Sequence, residues 1–268
     1  MIRVDGRLIH FGQFPNGESN LKHIKLDERD ITHVVTLKYE SDADLFHLLL
    51  VRDALKVPAT LRILYAPYSR MDRASDTYTF SLKVFAKFIN DMSWGKVVIY
   101  EPHSDVLPAL LDRVEVVDVA ASIEMRIAID QVVGSSDYQL CYPDVGAFKR
   151  YSNDEDSDLI GFKVRDFATG KIKALEILGT RTKDTVVILD DLCSKGGTFI
   201  LAATKLREMG FSKIVLAVAH CENTIYQGEV LTSGLIDHVV TTDSIIETNQ
   251  CPDKLTILSM SRFKYGLH

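Results

Sequence analysis

The sequence predicts an α/β protein built as two similar domains with mainly parallel sheets, plus a β-hairpin arm. Three observations lead there. Short β-rich runs alternate with helical patterns, as successive βαβ units require. The alternation occurs twice, with a break near residues 120–135, which places the domains at 1–125 and 126–268. One later segment departs from the rhythm and reads as two strands joined by a short turn.

In the first domain, "ITHVVTL" (31–37), "LRILYAP" (61–67) and "KVVIYEP" (96–102) have the length and composition of strands. Between them "SDADLFHLLLVRDAL" (41–55) reads as a helix, with Ser41 and Asp44 placed as a capping box. In "SLKVFAKFIND" (81–91), Leu82, Phe85, Ala86 and Ile89 fall on one helical face. The second domain repeats the pattern with "YQLCYPD" (138–144), "TVVILDD" (185–191), a helix over residues 198–209, "KIVLAVAH" (213–220) and "HVVTTDS" (238–244). The arm is "DLIGFKV" (158–164) and "KIKALEIL" (171–178), joined by "RDFATG".

At 46% hydrophobic and 25% charged, the 268 residues suit a soluble globular protein with a full core. No apolar run approaches the roughly 20 residues of a membrane span, and "MIRVDGRLIHFGQF" lacks the apolar stretch of a secretory signal. A cytoplasmic protein without a membrane partner is therefore expected. Cys141, Cys193, Cys221 and Cys251 stand far apart without metal-type spacing, as reduced thiols would. A net charge of −6 argues against a general nucleic-acid binder.

The chemistry concentrates in "VVILDDLCSKGGTF" (186–199). In parallel α/β sheets, ligands bind beyond the carboxyl ends of the strands. Asp190 and Asp191 are predicted there. The loop Cys193, Ser194, Lys195, Gly196, Gly197 and Thr198 would offer backbone N–H groups and a helix N-terminus to a phosphate. An acidic pair suits sugar hydroxyls, directly or through a cation, so the parts together describe a site for a phosphorylated ribose. Spacing alone also fits a strand that ends in a turn before an ordinary helix.

"VVILDDLCSKGGT" resembles the phosphoribosyl-pyrophosphate loop shared by type I phosphoribosyltransferases and ribose-phosphate pyrophosphokinases. Five further stretches resemble the pyrophosphokinases in particular. "FPNGES" (14–19) is similar to their adenine-contacting F-x-D-G-E, "YAPYSRMDRAS" (65–75) to their P-Y-x-x-x-R-Q-D-R stretch, and "YEPHSD" (100–105) to their D-L-H segment. "YPDVGAFKR" (142–150) is similar to S-P-D-x-G-x-x-x-R, and "FKVRDF" (162–167) to the K-x-R of the catalytic flexible arm.

The resemblance implies two phosphoribosyltransferase-type domains, the first contributing to ATP and the second carrying the ribose-phosphate loop and the arm. It implies transfer of the β,γ-diphosphate of ATP to the anomeric hydroxyl of a 5-phosphorylated ribose, with release of AMP. Lys163 and Arg165 would stabilise the transition state, although alone they also fit an exposed pair guarding an edge strand. Phe14, Asn16, Glu18, Arg70, Asp72, Arg73 and His103 would bind ATP. His103 and Asp144 would serve Mg²⁺, and a homo-oligomer would be the working form. A plain phosphoribosyltransferase would need only the 186–198 loop and would leave "FPNGE" and "FKVR" unexplained. A silent regulatory homologue need not retain Lys163 and Arg165.

Three positions depart from the family pattern: Asn16 stands for Asp, Met71 for Gln and Lys195 for Thr. The chain is also shorter than typical members and ends in "LSMSRFKYGLH", so packing between subunits and allosteric control are expected to differ. Lys195 could crowd a terminal 5-phosphate or pair with a second phosphate. The second case would suit ADP-ribose, the substrate of a similar phage branch in NAD salvage, and the segment 220–245 resembles phage-type sequences. Ribose 5-phosphate and ADP-ribose both remain open as acceptor.

Overall fold

The computed structural model describes residues 1–22, 24, 32–152, 158–165, 172–248 and 251–264, with the side chains of 163–165 and 172–174 outside that description. Two compact units divide between Val117 and Asp118.

The first unit opens with β1 (Ile2–Val4) and β2 (Arg7–Leu8), followed by the small hairpin β3 (Phe11–Gln13) and β4 (Ser19–Leu21). Then come β5 (His33–Leu37), α1 (Ala43–Ala54), β6 (Ala59–Ile63), α2 (Ser81–Asp91), β7 (Lys96–Tyr100), α3 (Val106–Leu110) and β8 (Val114–Val117). The sheet order is β2-β1-β5-β6-β7-β8, parallel from β5 to β8 and antiparallel at β1 and β2. Val35, Leu37, Leu61 and Ile63 are fully buried at every second position, the period of a strand with one face in the core.

Helix α2 has the predicted limits, and Leu82, Phe85, Ala86 and Ile89 all face the core. Helix α1 differs from expectation at its start. The capping residue is Asp42, not Ser41, and its side chain makes no cap hydrogen bond. Asp44 completes only the backward half of the predicted box: its Oδ2 accepts from the backbone N–H of Glu40 at 2.8 Å and of Ser41 at 3.2 Å. Asp42 is instead engaged by two tyrosines, which pull its carboxylate away from the helix.

The second unit contains α4 (Ile123–Val133), β9 (Gln139–Tyr142), α5 (Val145–Tyr151), β10 (Leu159–Arg165), β11 (Ile172–Leu178), β12 (Thr185–Cys193), α6 (Gly197–Glu208), β13 (Lys213–Cys221), β14 (His238–Thr242) and β15 (Leu255–Leu258). The strand order is β11-β10-β9-β12-β13-β14-β15, parallel except where β11 turns back on β10. Its core joins Val186 and Ile188 of β12 to Phe199, Ala202, Ala203 and Leu206 of α6. Short β8 and β15 and helices α3, α4 and α5 were not predicted. The two strands are four residues long, too few for a period-2 pattern to stand out.

The arm is formed by β10 and β11. Only Leu159 and Ile160 pair with β9; from Gly161 onward β10 pairs with β11 alone, as far as Arg165 opposite Ile172. The connecting residues 166–171 lie outside the described residues. Among the described residues, no helix is long and apolar enough to cross a membrane.

The helical register of α2 can be checked by substitution. Phe85, 3% exposed, fills the core, whereas neighbouring Val84 is 68% exposed. Phe85→Ala should lower stability in urea unfolding by about 3–5 kcal/mol. Val84→Ala should change it by no more than about 0.5 kcal/mol.

Candidate active site

In the second unit, β12 carries four buried residues, Val186, Val187, Ile188 and Leu189, straight to Asp190 and Asp191 at its carboxyl end. Strand burial on both faces fixes the main chain here, so the acids are held by the sheet and not by a loop. Asp191 is buried, and its backbone N–H donates to Asp190 Oδ1 at 2.9 Å. Part of Asp190 reaches solvent, yet burial of its carboxyl, then the charges of Asp191 and Asp144, raises it well above the usual carboxylate range. Asp144 caps α5, its Oδ1 accepting from the Ala147 N–H at 3.1 Å. The three carboxylates therefore share one electrostatic neighbourhood.

The loop that follows is clamped at two glycines. Gly196 has φ +80°, and a Cβ there would lie 2.1 Å from Val230 Cγ2. A Cβ on Gly228 would lie 2.0 Å from the Lys195 carbonyl oxygen. Only glycine allows either approach. Ser194 Oγ donates to Glu222 Oε2 at 2.6 Å, Thr224 Oγ1 donates to the same oxygen at 3.1 Å, and Glu222 N–H donates to the Cys193 carbonyl at 2.8 Å. Helix α6 begins at Gly196 without a side-chain cap, so its first-turn N–H groups have no side-chain acceptor from the capping residue. A phosphate is the ligand such an end suits.

The loop residues thus differ in what they offer. Cys193 is fully buried, and its hydrogen bond to Cys221, with burial next, pushes its thiol far above the ordinary range; it can contribute main chain only. Ser194 is spent on Glu222. Lys195 and Gly197 are exposed, and Thr198 is partly so. The side chain of Lys195 has no ion pair or hydrogen bond among the described residues.

Lys163 and Arg165 lie on β10, opposite Leu175 and Ile172 of β11, with a register shift between Val164 and Arg165. Their side chains lie outside the described residues.

The first unit gathers its candidates on loops at the carboxyl ends of adjacent parallel strands, and on the β3–β4 hairpin. Arg70, Asp72 and Arg73 follow β6; Arg70 and Arg73 are exposed, and Arg73 Nε lies 3.8 Å from Asp72 Oδ1. His103 is exposed on the loop after β7. Phe14, Asn16 and Glu18 form the tight end of the hairpin, where Phe14 N–H donates to Glu18 O and Gly17 N–H to Phe14 O, both at 2.8 Å. Asn16 Oδ1 accepts from Glu18 N–H at 3.2 Å, and Phe14 is 54% exposed.

Residues that sequence reasoning did not single out hold these loops. Asp42 Oδ1 accepts from the hydroxyls of Tyr39, at 2.5 Å, and Tyr68, tying the loop after β5 to the arginine loop after β6. The two phenols hold Asp42 below the usual carboxylate range, and burial followed by the Asp42 hydrogen bond pushes Tyr39 up. Tyr68 and Glu101 adopt positive φ, +63° and +42°, at the starts of the arginine and His103 loops. Such backbone strain in non-glycine residues clusters at functional sites. Glu222, Thr224 and Gly228 do the corresponding work in the second unit. Their one sequence signal is position, just past the end of a parallel strand.

The fold and the strand-end loop define a protein of the phosphoribosyltransferase class, here doubled and fitted with an arm. Known proteins agree. The chain is 27% identical over 235 residues to ribose-phosphate pyrophosphokinase of Hyphomonas neptunium, covering 83% of this chain and 75% of that protein. It is 26% identical over 269 residues to that of a Marinomonas species, covering 93% and 83%. To that of Xanthomonas axonopodis pv. citri it is 30% identical over 215 residues, covering 76% and 67%. The crystal structure of phosphoribosylpyrophosphate synthetase from Mycobacterium smegmatis shares the fold, with a TM-score of 0.74 at 20% identity over 95% of this chain and 87% of that one. No family model matches the chain. The chain belongs to the ribose-phosphate pyrophosphokinase family and is a diphosphokinase-type transferase.

Asp190 yields a pH test. Its folded pKa lies above the unfolded value of about 3.9, so the folded state holds the proton more tightly and stability falls as pH rises between the two. Asp190→Asn removes that loss. Without divalent cations, the variant should be more stable than the parent at neutral pH by on the order of 1 kcal/mol, a gap that closes towards about pH 4. Thermal unfolding at the two pH values reads it; equal stability of parent and variant at neutral pH would contradict the assignment.

Proposed function

We propose that the protein transfers the β,γ-diphosphate of ATP to the anomeric hydroxyl of a 5-phosphorylated ribose, as the resemblance of its motifs implies. The anomeric oxygen attacks the β-phosphorus and loses its proton, the bond between the α- and β-phosphates breaks, and AMP leaves. The observation that carries this reading is the joining of an acidic strand end to an uncapped glycine turn in one rigid loop. Asp190 and Asp191 grip ribose hydroxyls, which relieve their crowded charge, and the loop at 193–198 receives the 5-phosphate. Residues of the first unit serve ATP: Phe14 stacks on the adenine, Asn16 and Glu18 hydrogen-bond to it, and Arg70, Arg73 and His103 meet the phosphates, with Asp72 orienting Arg73.

Lys163 and Arg165 on the arm would stabilise charge that develops around the β-phosphorus, a role that acts on rate more than on binding. Mg²⁺ fits the donor chemistry, since Asp144, Asp190 and Asp191 are oxygen donors close enough for the charges of the other two to raise Asp190. Among the described residues no three ligating side chains converge; a cation held mainly through substrate phosphates would need one or two protein groups, such as Asp144 or His103. When bound, Mg²⁺ neutralises phosphate oxygens. The family resemblance further implies a homo-oligomer in the cytoplasm.

Lys195 favours a second reading of the acceptor. Its main chain is pinned at Gly228 while its side chain is exposed, so a cation stands at the tip of the phosphate loop. An ADP-ribose acceptor, with two phosphates on its 5-position, would give that cation a partner and place the reaction in NAD salvage.

Two tests follow from these roles. Lys163→Ala or Arg165→Ala should lower turnover about 10²–10³-fold with ATP binding largely intact, read by single-turnover kinetics and ATP titration. Normal turnover in both would remove the arm from catalysis. Lys195→Thr should weaken use of ADP-ribose and spare ribose 5-phosphate, moving the preference by at least about tenfold, because a charge-assisted phosphate contact is lost. Product masses from Mg²⁺, ATP and each acceptor read both the activity and the preference, and equal responses would show that Lys195 is not the selector.

A further inference from the structure

The β3–β4 hairpin is a sheet of its own, two strands of three residues each. So small a hairpin is not stable by itself and takes its orientation from whatever it packs on. Phe11, Leu21 and Ile24 pack against the core of the first unit, which provides apolar attachment. Apolar contact alone is non-directional. The direction comes from helix α1. Its His47 stacks flat on Phe11, ring centroids 4.0 Å apart and planes 8° from parallel. The same ring places Nε2 2.9 Å from Ser19 Oγ. Phe11 lies on β3 and Ser19 on β4, so one imidazole grips both strands at once.

The register makes this grip specific. Phe11 pairs with Leu21 and Gln13 with Ser19, so the side chains of these four share one face of the hairpin. His47 meets that face diagonally, at Phe11 and Ser19. Asp44, one turn earlier on α1, has its Oδ1 3.9 Å from His47 Nδ1, on the side of the ring away from the hairpin serine. Just beyond Gln13 and just before Ser19 lie Phe14 and Glu18.

We infer that His47 is a positioning residue, which fixes the β3–β4 hairpin on α1 and through it sets affinity for the nucleotide. The inference rests on the reading of Phe14 and Glu18 as adenine contacts. His47 touches neither reacting atoms nor phosphate in this account; it orders the groups that bind the base. Ordering the hairpin before ATP arrives lowers the entropic cost of binding. Loss of the grip therefore acts on ATP affinity and leaves the chemical step alone.

Amide exchange and steady-state kinetics on the full chain test this together. In His47→Ala, exchange at the Phe14 and Gly17 amides should quicken about tenfold, the combined effect of a lost aromatic stack and hydrogen bond. Amides of β5–β7 should keep their rates. KM for ATP should rise by a similar factor, with kcat and the acceptor's KM unchanged. His47→Phe, which retains the stack, and Ser19→Ala, which removes only the polar contact, should each show a smaller rise. The double variant Ser19→Ala with His47→Ala should be no worse than His47→Ala alone. Unchanged hairpin exchange in His47→Ala overturns the inference, as does an equal rise in KM for ATP and for the acceptor. Phe14→Ala separates the two ways of failing. If it raises KM for ATP while His47→Ala does not, the inference is wrong; if neither variant raises it, the adenine reading of the hairpin falls and the inference falls with it.

Discussion

The candidate site depends on one close approach, between the Lys195 carbonyl and Gly228. Space for a single Cβ is missing there, so the turn after β12 and the turn after β13 can lie together only with glycine at that position. With the turns in contact, Glu222 and Thr224 both come within reach of Ser194, and the Glu222 N–H meets the Cys193 carbonyl. The loop is then held from below by hydrogen bonds and from the side by Val230 against Gly196. Rigidity of this kind is what a phosphate nest requires, because donors that must be ordered on binding cost affinity.

The same logic takes another form in the first unit. Among the described residues no glycine clamp holds the loops after β5 and β6; a carboxylate does, with Asp42 accepting from two tyrosines on different loops. Its cost is visible in the backbone. Tyr68, which donates to Asp42, occupies the left-handed region, as does Glu101, buried just past the end of β7 beside the His103 loop. Strain of this sort persists only where surrounding contacts over-determine it. Two units of similar architecture thus each tie their strand-end loops with a carboxylate, and the second adds a glycine clamp.

Legibility in the sequence followed the range of the forces involved. Strands β5, β7, β12 and β13 and helix α2 stand out because local periodicity and β-branched runs report burial directly. The acidic pair and the glycines of the loop were readable for the same reason: their roles are set by neighbours in the chain. Glu222, Thr224, Gly228 and Asp42 were not. Each matters through a partner 20 or more residues away, such as Ser194 for Glu222 or Tyr68 for Asp42, and no local pattern records such a pairing. The cap of α1 shows how a local rule fails. Asp44 met it, but Asp42 displaced Ser41 as the capping residue, and its carboxylate is held by a distant tyrosine instead. Gly228 carries a further lesson, since its φ is not positive and only the approach of another backbone makes it obligatory.

Of the positions at which this chain departs from its family pattern, Met71 and Lys195 share a structural property. Asn16 sits in the exposed hairpin turn, Met71 in the arginine loop, and Lys195 in the loop between β12 and α6. At Met71 and Lys195 the main chain is fixed by contacts that do not depend on the side chain at issue, whereas the Asn16 side chain itself accepts from the Glu18 N–H. Phe14 and Glu18 close the hairpin through their backbones, Met71 joins Tyr68 O and Leu82 N–H through its own backbone, and Lys195 is pinned through its carbonyl. A side chain can therefore be exchanged at Met71 or Lys195 without shifting the loop that carries it. Lys195 is the clearest instance, because the exchange of a hydroxyl for a cation changes the charge presented to a ligand while Gly196, Gly228 and Glu222 keep the geometry. Differences in acceptor or base preference within such a fold can arise at these positions without rebuilding the site.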